Sequence, residues 1–149
     1  MRACIQRVKR CSVSVDGKLI NSIGSGMLIL LGIKSSDTKS DGEYLAERCA
    51  SLRIFEDAAG KMNLSVEEVK GKVMVVSQFT LYGDTRKGNR PSYTDAAPSN
   101  AAEPLYYHFI ESLKKLLGEQ NVASGIFRAM MEIELVNDGP VTLIVDNKN

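Results

Sequence analysis

The dipeptide Asp16-Gly17 constrains this chain more than any other feature, because it stands between alternating stretches, 2–8 and 11–15 before it and Leu19-Ile20 after it. Both central positions of a two-residue hairpin turn require positive φ, which aspartate tolerates and glycine adopts freely. The chain must therefore reverse there and pair with itself antiparallel. The apolar run 27–33 then reads as a fully buried strand, and the β-branched stretch 73–77 as a shorter one. Ser40 and Glu43 have capping-box spacing, and Leu45, Cys49 and Leu52 recur at helical intervals, which predicts a helix over 41–52. A second helix is predicted over 101–117: Asn100 caps it, Pro104 lies in its first turn, Leu105, Phe109, Leu113 and Leu116 form a stripe, and Gly118 ends it. Strands are predicted at 129–136 and 141–145. The order β-β-β-α-β-α-β-β lacks the regular alternation of a parallel sheet. The expected fold class is therefore α+β, with a mainly antiparallel, barrel-like sheet and two helices.

A chain of 149 residues, 44% hydrophobic and 25% charged, suits a single domain, 1–149, with a sizeable core. Its longest strongly apolar stretch, 27–33, is too short to cross a bilayer, and the first residues show no basic-then-apolar leader pattern. No membrane partner and a cytoplasmic location are expected. A net charge of +1 argues against a general nucleic-acid coat, which neutralises phosphates with many cations. Positive charge is local instead: Arg7, Lys9 and Arg10 near the start, and Arg86, Lys87 and Arg90 in a loop with Gly83, Gly88 and Asn89. Cys4, Cys11 and Cys49 are odd in number and lack paired spacing, so reduced thiols are expected, with no metal and no cofactor.

Two segments about sixty residues apart carry the remaining information: Ser77-Gln78-Phe79-Thr80-Leu81 at a strand end, and Asn137-Asp138-Gly139-Pro140-Val141-Thr142 between two strands. Thr80 is a candidate nucleophile, or a hydroxyl that merely holds the turn. A hydroxyl nucleophile needs a neighbouring base, and the one histidine, His108, should project roughly 130° from the centre of its helix's apolar stripe, toward solvent. Ser-His-Asp chemistry is thus disfavoured. Phe79 and Met131 read equally as core residues, and Asn-Asp-Gly-Pro is first of all a turn.

Together the two segments resemble the paired signature motifs of the D-aminoacyl-tRNA deacylases, and the resemblance runs from Met1-Arg2-Ala3 and Gln6-Arg7-Val8 to the closing strand. It implies a homodimeric hydrolase that frees tRNA from D-amino acids. In that family the Gly-Pro bond is cis and enters the active site of the other subunit; carried over, the pair is Gly139 and Pro140. Two carbonyl oxygens aimed alike would hold the substrate α-amino group. A D-side chain would then point outward, and an L-side chain would strike the peptide. Glycine has no side chain to strike, so some activity on glycyl-tRNA is expected.

The resemblance assigns further residues. Ser77, Gln78, Phe79 and Met131 would line the pocket for the terminal adenosine, Arg7 would brace the Gly139-Pro140 loop, and Arg86, Lys87 and Arg90 would meet the tRNA backbone. Pro91-Ser92 and Ala96-Ala97-Pro98 look like the pocket-edge loop. The ester is already reactive and its neighbouring ribose hydroxyl can help activate water, so backbone N–H groups of Phe79 and Thr80 could suffice as oxyanion donors. One departure stands out: after Gly125-Ile126-Phe127 the family usually has glycine, and here Arg128 occupies the position. A non-catalytic nucleic-acid-binding module is the alternative. An editing relative that removes L-alanine is a third reading, but such enzymes depart from the Ser-Gln-Phe-Thr-Leu pattern that this chain keeps.

Overall fold

The computed structural model describes residues 1–147. Asp16 and Gly17 both take positive φ, 50° and 75°, and turn β1 (Arg2–Val15) back as β2 (Lys18–Ile23). The chain then forms β3 (Gly26–Gly32), α1 (Lys39–Ala50), the short pair β4 (Phe55–Glu56) and β5 (Met62–Leu64), β6 (Lys72–Ser77), α2 (Ser99–Leu117), β7 (Val122–Ser124) and β8 (Met131–Asp146). The main sheet runs β2-β1-β3-β6-β7, with β8 on the other edge of β1. Pairing is mainly antiparallel, but β3–β6 and β6–β7 are parallel, because α1 with β4 and β5, and then α2, carry the chain back between those strands.

Strand β1 shapes the barrel. One of its edges pairs first with β3 (residues 2–8) and then with β2 (residues 11–15), while β8 follows the other edge from end to end. The sheet therefore curls until its outer strands meet, where Asn21 Nδ2 on β2 donates to the Ser124 carbonyl of β7 at 2.7 Å. Alternation along the strands divides the core in two. Met27, Ile29, Leu31, Val73 and Val75 face the helices, and Leu28, Met74 and Val76 join Val8, Cys11, Val13 and Ile23 on the opposite side.

Several local expectations shift. The capping box of α1 is Thr38 and Asp41, not Ser40 and Glu43: Thr38 N–H donates to Asp41 Oδ2 at 2.8 Å and Asp41 N–H to Thr38 Oγ1 at 3.4 Å. The same spacing occurs two residues earlier, and Asp37, which receives the Lys34 N–H and the Met1 ammonium at 2.6 Å each, fixes the chain there. Helix α2 begins at Ser99 after Pro98, whose carbonyl accepts from Ala101 and Ala102; Asn100 lies inside the helix and is not its cap. Its buried face is Ala102, Tyr106, Phe109, Ile110 and Leu113, with Leu116 left 42% exposed. Tyr106 can be buried because its hydroxyl donates to the Val75 carbonyl at 3.1 Å. His108 does not project freely into solvent; its Nε2 lies 2.9 Å from Glu43 Oε1, where α1 crosses α2. The two strands expected at 129–136 and 141–145 are one continuous β8, and β4, β5 and β7 were too short to announce themselves.

The cysteines lie apart, Cys49 under the helices and Cys11 in the opposite cluster. Burial alone pushes the Cys11 thiol from 9.0 to about 11, and drives Cys49 to about 12 against a small opposing pull from Arg48. The folded state holds these protons more tightly than the unfolded chain, so the stability they contribute is complete below pH 9 and is lost as pH rises through 11 and 12. Urea midpoints should accordingly be flat from pH 7 to 9 and fall above it. At pH 8, a thiol reagent should modify the partly exposed Cys4 well before the other two.

Candidate active site

Strand β6 is the central support of the site. It lies parallel between β3 and β7, and at its C-terminal end the Gln78 N–H continues the pairing by donating to Leu31 O at 2.8 Å. The chain then tightens into a single 3₁₀ turn, Phe79–Tyr82, closed by Leu81 N–H to Gln78 O (3.2 Å) and Gly83 N–H to Thr80 O (2.9 Å). The N–H groups of Phe79 and Thr80 begin that turn and have no acceptor within it. Arg2 steadies the turn from below: its guanidinium donates to Leu81 O at 3.4 Å, lies 5.5 Å from the centre of the Tyr82 ring and pairs with Asp146 at 2.8 Å.

Beside the turn opens a cavity of about 610 Å³. Ser77, Gln78 and Phe79 form one wall, Met131 and Ile133 of β8 with the Phe127–Met130 segment another, and Tyr93, Ala96, Ala97 and Pro98 the rim. The rim is pinned to the end of β3 by Ala97 N–H to Ile33 O (2.9 Å) and Ser35 N–H to Asp95 O (3.2 Å). Phe79, 57% exposed, meets Tyr93 edge-on with ring centres 5.1 Å apart. A larger depression of about 730 Å³ lies between the ends of α1 and α2 and the β4–β5 pair, but no motif residue lines it, so the smaller cavity is the better candidate.

Thr80 is not among the lining residues. It is exposed, and its hydroxyl is met by the Gln78 side-chain amide. His108 is bound to Glu43 on the helical side, and no carboxylate hydrogen-bonds Thr80 among the described residues. Tyr93 and Phe127 are lining residues that sequence reasoning passed over; an aromatic two places after Pro91, in a loop without periodicity, was the one available signal for Tyr93.

The second motif occupies a different place. Between the pairs Gln6–Thr142 and Val8–Asn137, β8 sets Asp138 to Val141 opposite the single residue Arg7, so four residues bulge outward. Asn137 fastens the base of this loop by donating to Arg7 O and Val141 O, each at 3.0 Å. Arg7, 5% exposed, donates through Nη1 to Ile54 O at 2.6 Å and through Nε to Asp138 O at 3.3 Å, and pairs with Asp138 Oδ2 at 3.4 Å. Gly139 and Pro140 are exposed at the tip, joined by a cis peptide, and neither they nor Arg7 line the cavity of their own chain.

The basic loop is closed by the pairing of Asp84 with Ser92. Arg86 is committed within it: a two-point contact at 2.9 and 2.8 Å binds it to Asp84, whose carboxyl that guanidinium holds down to about 2. Lys87 and Arg90 are exposed and have no carboxylate partner among the described residues.

The family model described as D-Tyr-tRNA(Tyr) deacylase matches residues 4–146. The chain belongs to that family. A D-aminoacyl-tRNA deacylase of Carboxydothermus hydrogenoformans is 53% identical over 146 residues, covering 98% of this chain and 99% of the relative, and one of Anaeromyxobacter dehalogenans is 55% identical over 150 aligned positions, covering 99% and 98%. Among solved structures, one titled c-Myc DNA Unwinding Element Binding Protein aligns with TM-score 0.96 at 39% identity over the whole of both chains. A probable eukaryotic D-amino acid tRNA deacylase aligns with TM-score 0.84 at 18% identity, over 97% and 98%, a likeness of fold alone.

Gly32 packs closely against the 3₁₀ turn beside the cavity. A Cβ there would stand 3.1 Å from Leu81 Cβ, 3.2 Å from Gln78 O and 3.3 Å from Tyr82 Cδ2. Replacing Gly32 with alanine should push the 3₁₀ turn aside by a few tenths of an ångström and lower kcat/KM by about tenfold, with a stability loss near 1 kcal/mol. Steady-state kinetics beside a thermal melt will check the split.

Proposed function

We propose that this chain hydrolyses the ester of D-aminoacyl-tRNA, releasing the free D-amino acid and tRNA, and spares L-aminoacyl-tRNA. The family match over residues 4–146 carries this reading. The cavity at Ser77, Gln78 and Phe79 supports it, because an unpaired RNA end is bound by ring faces and amides, and Phe79, Tyr93 and Gln78 offer both. Thr80 has no base beside it, so water attacks the ester carbonyl with help from the terminal ribose 2′-hydroxyl. The N–H groups of Phe79 and Thr80 stabilise the developing oxyanion. The bond broken is the acyl–oxygen bond, and the leaving ribose oxygen takes up the proton that water gives.

Selection comes from a second copy of the chain. The exposed Gly139-Pro140 tip lies outside its own cavity, and in a homodimer it reaches the cavity of the partner, where its carbonyls hold the substrate α-ammonium. Arg7 braces the tip, Met131 backs the adenosine, and Arg86, Lys87 and Arg90 lie along the RNA backbone. An L-side chain strikes the peptide, a D-side chain clears it, and glycine passes, so glycyl-tRNA is cleaved to a degree.

The decisive experiment offers D-tyrosyl-, L-tyrosyl- and glycyl-tRNA to the purified protein. Rapid loss of the first, slower loss of the third and none of the second is expected; equal rates for both tyrosyl forms would end the proposal. The cross-subunit part has its own check. Equal mixtures of Gly139→Ala and Gln78→Ala chains, refolded together, should recover about a quarter of the wild-type sites, whereas sites confined to one chain would recover none. The alternative, a non-catalytic nucleic-acid-binding module, would use the Arg86 to Arg90 loop and the Arg7 to Arg10 strand, and one structural relative is titled a DNA unwinding element binding protein. It requires tight binding of nucleic acid with no hydrolysis of any aminoacyl-tRNA.

A further inference from the structure

Arg128 is the one charged residue among those lining the cavity at Ser77, Gln78 and Phe79. It is the third residue of the turn from Ile126 to Ala129, closed by Ala129 N–H to Ile126 O at 3.2 Å, and its φ is 66°. That left-handed conformation is free to glycine and costly to a long side chain. Non-glycine residues held there gather where function is served. Local bonding does not account for the arginine, which is exposed and has no hydrogen bond or ion pair among the described residues. The cation is thus presented to the cavity at a conformational cost, with no ion-pair partner among the described residues.

We propose that Arg128 binds the phosphodiester that joins the terminal nucleoside of the substrate to the nucleotide before it, an inference that rests on the function proposed above. The substrate's chemistry limits the choices. The aminoacyl ester carries a positive α-ammonium and no anion, so a lone guanidinium in this cavity would repel that end. The nearest anion is the phosphate on the 5′ side of the terminal nucleoside, which must leave by the mouth when the nucleoside is inside. A planar, always charged guanidinium suits a phosphodiester and can donate two bonds to it.

The test compares D-tyrosyl-tRNA with 3′-O-(D-tyrosyl)adenosine, which has no phosphate. Arg128→Ala and Arg128→Gly should lose about tenfold more in kcat/KM on the tRNA than on the nucleoside, the loss lying in KM. The dependence of log kcat/KM on log salt concentration should become shallower by about 0.7. Arg128→Lys should recover part of the loss, and the glycine variant, relieved of its strained φ, should melt no lower than wild type, which excludes misfolding as the cause. Equal losses on both substrates, or none on the tRNA, would overturn the proposal. If the wild-type protein cleaves neither substrate, the functional reading fails by itself. Arg128 is then decided by calorimetry with cytidylyl-(3′→5′)-adenosine against adenosine: a preference for the dinucleotide that Arg128→Ala erases sustains it, and no preference ends it.

Discussion

Replacing Gly139 with alanine is expected to cost about a hundredfold in kcat/KM on D-tyrosyl-tRNA and to narrow the gap to L-tyrosyl-tRNA. The residue has φ 118°, a conformation that alanine adopts only under strain, and a Cβ would stand 2.7 Å from Arg7 Nη2 and 3.0 Å from Val141 Cγ2. Arg7 has little room to yield, because it is buried and bound to Ile54 O and to Asp138. Either the loop tip moves or the guanidinium loses its partners, and in both cases the proposed filter is displaced from the cavity it guards. A stability loss of about 1–3 kcal/mol should accompany the change, since the strain is local and the core untouched. Single-turnover rates on the two enantiomeric substrates, measured well below the melting temperature, decide the matter. Activity within threefold of wild type, with discrimination intact, would mean that the loop has no part in selection.

The largest stability effect is expected at Gly26. Its φ is 159°, and a Cβ there would lie 1.8 Å from Lys72 O and 2.7 Å from Lys72 N and C, all backbone atoms. No rotamer change can relieve this, so β3 and β6 must separate where their parallel pairing begins, at Gly26 and Lys72. Gly26→Ala should cost about 4 kcal/mol or more, the uncommon end of single substitutions. For a chain of this size the melting temperature would fall by about 8–16 °C. The consequence reaches the site, because β6 carries Ser77, leads directly into Gln78 and takes its position from β3. Residual folded protein should therefore also show weakened hydrolysis. An unchanged melt would contradict the packing described.

Much of this was legible in the sequence for identifiable reasons. The Asp16-Gly17 turn, the buried strand at 27–33 and the two helices each rest on signals contained within a few residues. The sequence leaves the cap of α1 uncertain by two residues because Thr38/Asp41 and Ser40/Glu43 satisfy the same pattern, and the choice falls to Asp37, tied to Lys34 and Met1. The buried face of α2 was turned slightly because a tyrosine counts as apolar only where its hydroxyl finds a partner, and that partner, Val75 O, lies on another element.

Local signals along the chain suffice for the class of fold, the family resemblance and the two segments that carry the candidate chemistry. Turns, periodicity and motifs are written in neighbouring residues, where intrinsic backbone preference and side-chain spacing act without the rest of the chain. The tertiary structure alone decided that β8 runs unbroken past the second motif, that Asp138 to Val141 bulge opposite Arg7 far away in sequence, and that Tyr93 and Arg128 stand at the same cavity as Gln78. Those arrangements depend on strand register and on hydrogen bonds between distant elements, which exist only once the sheet has closed and fixed each strand against its neighbour.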